Sequence, residues 1–159
     1  MKRKISKFGL LLTILFFTMS FTSNAQKYYG SACVKLKNSD GKYRYHTVVM
    51  GTYTDCYSVT SAKAKLLQQL EEGKGYREEF VSSVVYDIEE NNSSRYNGDA
   101  TARVVNSKGE ERTIIVKTGE YASDKSKNSR KQELLKLLDS KKGYDETYYE
   151  CIIFDLSTN

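Results

Sequence analysis

Proline and tryptophan are absent from the 159 residues, and histidine occurs once. Without proline there is no Pro-rich linker or recognition segment. One histidine cannot build a His-based zinc site, and the length excludes a multi-domain enzyme. Excess positive charge is scarcer than the totals suggest. The chain has 25 basic and 20 acidic side chains, a formal +5 that would suit a nucleic-acid partner. Lys2, Arg3, Lys4 and Lys7 all fall in residues 1–25, which hold no acid, so 21 basic face 20 acidic groups in the remainder. Residues 27–90 hold nine of each sign and residues 95–159 twelve and eleven. No basic stripe follows, and nucleic acid is not expected as a partner.

Residues 1–25 have the three-part pattern of a secretory signal: a basic start, a mostly apolar run over 8–21, and Ser23 and Ala25 just before a cut at Gln26. Fourteen helical residues cover roughly 21 Å, short of about 30 Å of bilayer hydrocarbon, so cleavage is expected rather than anchoring. A lipid anchor needs a cysteine directly after the cut, and Cys33 lies too far on. No later segment is apolar enough to span a membrane. The mature chain is expected to be soluble and exported, periplasmic or extracellular.

The strongest signal is internal. A shift of 68 residues aligns 28–88 with 96–156 without a gap, with 21 identities in 61 pairs. Asn38-Ser39-Asp40-Gly41 meets Asn106-Ser107-Lys108-Gly109, and Lys74-Gly75-Tyr76 meets Lys142-Gly143-Tyr144. This reads as a tandem duplication, with repeats over 26–90 and 96–159 and a connector at 91–95.

Each repeat reads as ββαβ. Segments 32–37 and 42–50 alternate around an Asn/Gly turn and form a hairpin. Lys108 tolerates positive φ poorly, so a type I turn closed by a bulge glycine at Gly41 or Gly109 suits both copies. That turn pairs Val34 with His46 and Ala102 with Ile114. A helix over 61–72 follows from Ala62, Leu66 and Leu70, capped by Thr60/Asn128 or Ser58/Ser126. Segments 80–88 and 148–156 are third strands whose Val84/Ile152, Tyr86/Phe154 and Ile88/Leu156 face the helix. The expected fold is α+β, with two helices and about six strands in mainly antiparallel sheet. Val, Ile, Leu and Phe number only thirteen per copy, thin for an independent unit. The copies are therefore expected to dock as one domain, burying Val49, Val85, Ile115 and Ile153. Whether they share one sheet or stack stays open.

Candidate chemistry is sparse. His46 stands where the second copy has Ile114, which makes it a packing residue rather than an acid/base group. Cys33, Cys56 and Cys151 are not duplicated. An oxidising compartment would give one disulfide and one thiol, with three possible pairings. Cys33–Cys56 would be local and Cys33–Cys151 would staple the copies; a Cys151–His46 catalytic pair has no support. Lys125, Lys127, Arg130 and Lys131 surround the second helix start, where cations oppose the helix dipole unless an anion binds, so an anion site is weighed against a solvated loop. Outward-facing Asp87 and Lys35 are expected to pair. Glu71-Glu72 lacks calcium-loop spacing, and no metal or cofactor is expected.

Thirteen tyrosines all lie after residue 25. Tyrosine is stiff and amphipathic, which suits recognition. Tyr43 and Tyr45 project outward beside Lys35 and Lys37, the expected binding face. Tyr53/Tyr121 and Tyr76/Tyr144 recur beside turns and read as structural. A binding module for a protein, peptide or envelope component is expected ahead of an enzyme. The alternatives are an inhibitor of a secreted hydrolase, a small Cys- or carboxylate-dependent enzyme, and a structural envelope protein.

Overall fold

A computed structural model of the protein describes residues 27–51, 55–92, 94–119 and 125–158. Residues 1–25, expected to be a secretory signal, and Tyr53 and Tyr121 lie outside these residues. The elements in chain order are β1 (Tyr28–Asn38), β2 (Tyr43–Val49), α1 (Val59–Gly73), β3 (Glu78–Phe80), β4 (Val85–Glu90), β5 (Tyr96–Val105), β6 (Glu111–Lys117), α2 (Lys127–Lys141), β7 (Thr147–Tyr148) and β8 (Ile153–Thr158). The fold is α+β: the described residues form two helices and eight strands, the strands in two separate four-stranded antiparallel sheets. In each sheet a long central strand pairs with its hairpin partner on one side and with two short strands on the other.

The hairpin register is the expected one. Val34 faces His46 and Leu36 faces Arg44; Ala102 faces Ile114 and Val104 faces Arg112. The turns follow from their residues. The Asn38 side chain accepts from the backbone N–H groups of Asp40 and Lys42, and that of Asn106 from those of Lys108 and Glu110. Gly41 and Gly109 sit at φ +78° and +84°, where a Cβ is disfavoured.

The third strands are not continuous, so eight strands stand where six were expected. Leu36 faces Phe80 but Cys33 faces Val85, so three steps along β1 match five on its partner. Val104 facing Tyr148 and Thr101 facing Ile153 repeat the slip. The two extra residues bulge outward, and Ser82 Oγ accepts the Lys35 N–H inside the gap. An even slip preserves which face each side chain takes.

Ser58 and Ser126 cap the helices, each accepting from the N–H three residues on. The alternative cap, Asn128, turns elsewhere. In α1, Ala62, Leu66 and Leu70 are buried against Ala32, Val34 and Leu36; in α2, Leu134 and Leu138 are buried against Ala100, Ala102 and Val104. Each fully buried leucine contributes roughly 1.5–3 kcal/mol.

Helix α2 has a second set of contacts. Its Asn128 and Gln132 amides both donate to the Met50 carbonyl, at 2.5 and 2.7 Å. Lys131 Nζ lies 2.6 Å from Asp87 Oδ2, and Lys127 Nζ lies 2.7 Å from Glu89. Asp87 is thus taken by α2 rather than by Lys35. The face of the first sheet away from α1 is covered in this way, and Ser31, Cys33, Thr47 and Val49 are buried on it. Of the four apolar residues expected in the contact, only Val49 is buried; Val85, Ile115 and Ile153 are exposed. The halves meet helix-on-sheet rather than sheet-on-sheet, which leaves the outer face of the second sheet bare.

Candidate functional site

Cys33 and Cys151 form a disulfide that bridges 118 residues of sequence and joins β1 to the bulge between β7 and β8. Cys56 is the free thiol and is buried in the first core. With Cys151 oxidised, the Cys151–His46 pair does not exist. His46 packs its ring beside Gly73. Burial, then the Arg44 cation, holds its pKa below the ordinary value.

The disulfide sets the bulge against the Tyr-bearing face of the first sheet and so makes a cleft between the halves. Two cavities, of about 470 and 220 Å³, share Tyr43 and Tyr149 as lining residues. Asn38 and Asn106, the two hairpin-turn asparagines, line the larger; Lys35, Tyr45 and Glu150 line the smaller. Tyr43 is 52% and Tyr149 42% exposed, so both rings have a free side. Lys35 Nζ lies 4.5 Å from the Tyr43 ring centroid and 5.8 Å from that of Tyr45, and Lys37 Nζ lies 5.9 Å from that of Tyr43. Such cation–π contacts are each worth about 0.5–1 kcal/mol at an exposed site. Across the cleft, Arg103 stacks 5.4 Å from the Tyr149 ring and bonds Glu111 and Glu150.

Each half carries an equivalent Arg–Glu clamp, and that of the first half, Arg44 with Glu78, lines the larger cavity. Arg44 forms a bidentate pair with Glu78, both bonds at 2.6 Å, and Arg112 forms one with Glu146, at 2.5 and 2.7 Å. Each carboxylate also accepts from a turn glycine, Gly75 or Gly143. The guanidinium partners hold both carboxyl groups below the usual range, Glu146 at about 2. In a separate cavity beside His46, Tyr148 donates to Asp139, and burial together with that carboxylate raises its pKa.

The four residues weighed as an anion site are engaged otherwise. Lys125 and Arg130 pair with Glu133, Lys127 with Glu89, and Lys131 with Asp87. Arg130 also donates to the Tyr96 carbonyl. Arg130 and Lys131 are buried, so the cluster is a clasp between elements in which each cation has a carboxylate partner, Glu133 serving two of them. Tyr76 and Tyr144, read as structural, are fully exposed and pack nothing. Tyr149 escaped the sequence reading because its partner in the first half is Val81; the Tyr-Tyr pair two residues before Cys151 was the available signal.

Among the described residues no group of three His, Cys, Asp or Glu side chains is arranged to hold a metal ion, and no helix is long and apolar enough to cross a membrane. The cleft offers aromatic walls, amide groups and charges of both signs, a set suited to holding a ligand. Comparison with protein-family models, curated proteins and solved structures finds no match to the chain.

Proposed function

We propose that the protein is an exported binding module that takes a protein or peptide segment into the cleft between its halves. The observation that carries this reading is the pair Tyr43 and Tyr149, which line the same cavities from opposite halves with exposed rings. Rigid aromatics beside amides and charges are the usual composition of a peptide-reading surface. The expected Tyr43, Tyr45, Lys35 and Lys37 face is therefore kept, with Tyr149 and Glu150 added as its opposite wall. Export is supported by the leader pattern and by the disulfide, which persists in an oxidising compartment. The duplication of a ββαβ unit is supported by the matched registers, turns and Arg–Glu clamps at the same 68-residue spacing.

The test is capture of partners from the envelope fraction by the purified protein, with Y43A and Y149A in parallel. Each substitution is expected to weaken the same captured species by about tenfold or more, the usual scale for a central aromatic. Capture unchanged in both variants contradicts the cleft.

A further inference from the structure

The contact between the halves is built from two dissimilar surfaces. One is a flank of the second half, made of α2 and the bulge before β8. The other is the face of the first sheet opposite α1, where Lys131 pairs with Asp87 and where Ser31, Cys33, Thr47 and Val49 are buried. Both surfaces occur a second time, and there the described residues at their centres are exposed. On the first half, Lys63, Leu67 and Val81 occupy the positions of Lys131, Leu135 and Tyr149. Leu67 is 39% and Val81 40% exposed. Lys63 Nζ lies 5.6 Å from the Tyr86 ring centroid, as Lys131 Nζ lies 6.0 Å from that of Phe154. The two lysines therefore leave their helices in the same way.

On the second sheet, Asp155 occupies the position of Asp87 and Ile115 that of Thr47. Ile115 is 54% exposed. Asp155 also faces Asp99 across the β5–β8 ladder, whereas Asp87 faces Ser31. Opposed carboxylates on neighbouring strands repel. Among the described residues neither Asp99 nor Asp155 is in an ion pair. The second sheet's outer face thus presents exposed Ile115 and Ile153 beside the Asp99–Asp155 pair, with Lys117 opposite Asp99 on β6, and the α1 flank presents leucine, valine and a lysine at the matching positions.

We propose that copies of the chain stack head to tail, the α1 flank of one copy on the outer face of the second sheet of the next, with Lys63 on Asp155 as Lys131 sits on Asp87. Such a heterologous contact need not close on itself, so it propagates into open assemblies. It is weaker than the internal one. Thr60 and Ala64 stand where Asn128 and Gln132 bond the Met50 carbonyl, and Ser83 and Thr101 stand where the disulfide lies. Assembly is accordingly reversible and driven by concentration.

Sedimentation velocity of the purified protein, from about 10 µM to about 1 mM, tests this in the range of weak contacts. The mean mass is expected to rise with concentration and to fall with added salt, which screens the ion pair. K63E and D155K should each raise the concentration needed by about tenfold or more, since like charges then meet at the contact. An equimolar mixture of the two variants should assemble again, because every contact between unlike copies pairs opposite charges. Lys63 is exposed, so K63E should melt with the parent, and D155K, which also removes the repulsion from Asp99, should melt no lower than the parent. A protein monomeric throughout, with the face left to some other partner, overturns the proposal. So does association equal to the parent's in either variant, or a mixture that assembles no better than its components.

Discussion

A carbon atom added at Gly73 would stand 2.2 Å from Nε2 of His46. In the second half the same two positions hold Lys141 and Ile114, so a side chain on the helix goes with a smaller group on the strand. G73A is therefore expected to destabilise the protein by about 1 kcal/mol or more through overpacking, although alanine outranks glycine within a helix by about 1 kcal/mol. In the H46A background the ring is gone and the sign should reverse; urea denaturation of the four proteins reads this directly. The same ring sets a pH dependence. Burial lowers the folded-state pKa of His46 below 6.5, with Arg44 adding to the effect and Glu78 and Asp139 opposing it. The unfolded chain then binds the proton first, so stability is full above that value and declines as pH falls from about 6.5 towards the folded pKa. Glu78 and Glu146 act in a lower window, because their stabilisation is lost only below the ordinary 4.5. Unfolding midpoints between pH 8 and 5 should slope in the parent and be flatter in H46A; equal slopes contradict the assignment.

Among the elements, the hairpins are the most self-contained. Nothing lies within 4 Å of a Cβ added at Gly41 or Gly109, so an alanine there meets only its own positive φ. G41A and G109A should each cost about 1 kcal/mol, and nearly the same amount, by thermal unfolding. These turns were legible in the sequence because Lys108 rejects the turn type that Asp40-Gly41 alone would have allowed. The helices were legible through Leu66, Leu70 and their counterparts. The break in the third strands was not. Residues 81–84 and 149–152 contain neither glycine nor proline, and what the two bulges share is a backbone bond, Val81 N–H to the Lys35 carbonyl and Tyr149 N–H to the Arg103 carbonyl, which no side chain announces. The second buried side of α2 was hidden for a different reason. Its contacts run through Asn128, Lys131 and Gln132, and polar residues that bury by meeting a carbonyl or a carboxylate leave no hydrophobic period. For the same reason the basic cluster read as a solvated loop or an anion site, with no sign in the sequence of its ion pairs.

At the scale of the whole molecule, the described residues join the two halves through α2, the contact of β2 with β7, a few polar bonds and the disulfide. The Cys33–Cys151 bridge closes a long loop, and its removal should cost about 2–5 kcal/mol. C33S and C151S break the same bond, so chemical denaturation should give similar losses for each and no larger loss for the double variant. The sequence left the pairing open between this bridge and a local one to Cys56, since only the docking geometry decides which sulfurs meet. The cleft inherits that geometry: one wall comes from β2 and the other from the segment after β7, and neither half forms it alone. Hydrogen exchange of the protein with and without a captured partner tests this most directly. Simultaneous protection at residues 42–45 and 145–149 is the predicted result, and protection confined to one half, or to the outer face of the second sheet, would contradict the cleft as the binding site.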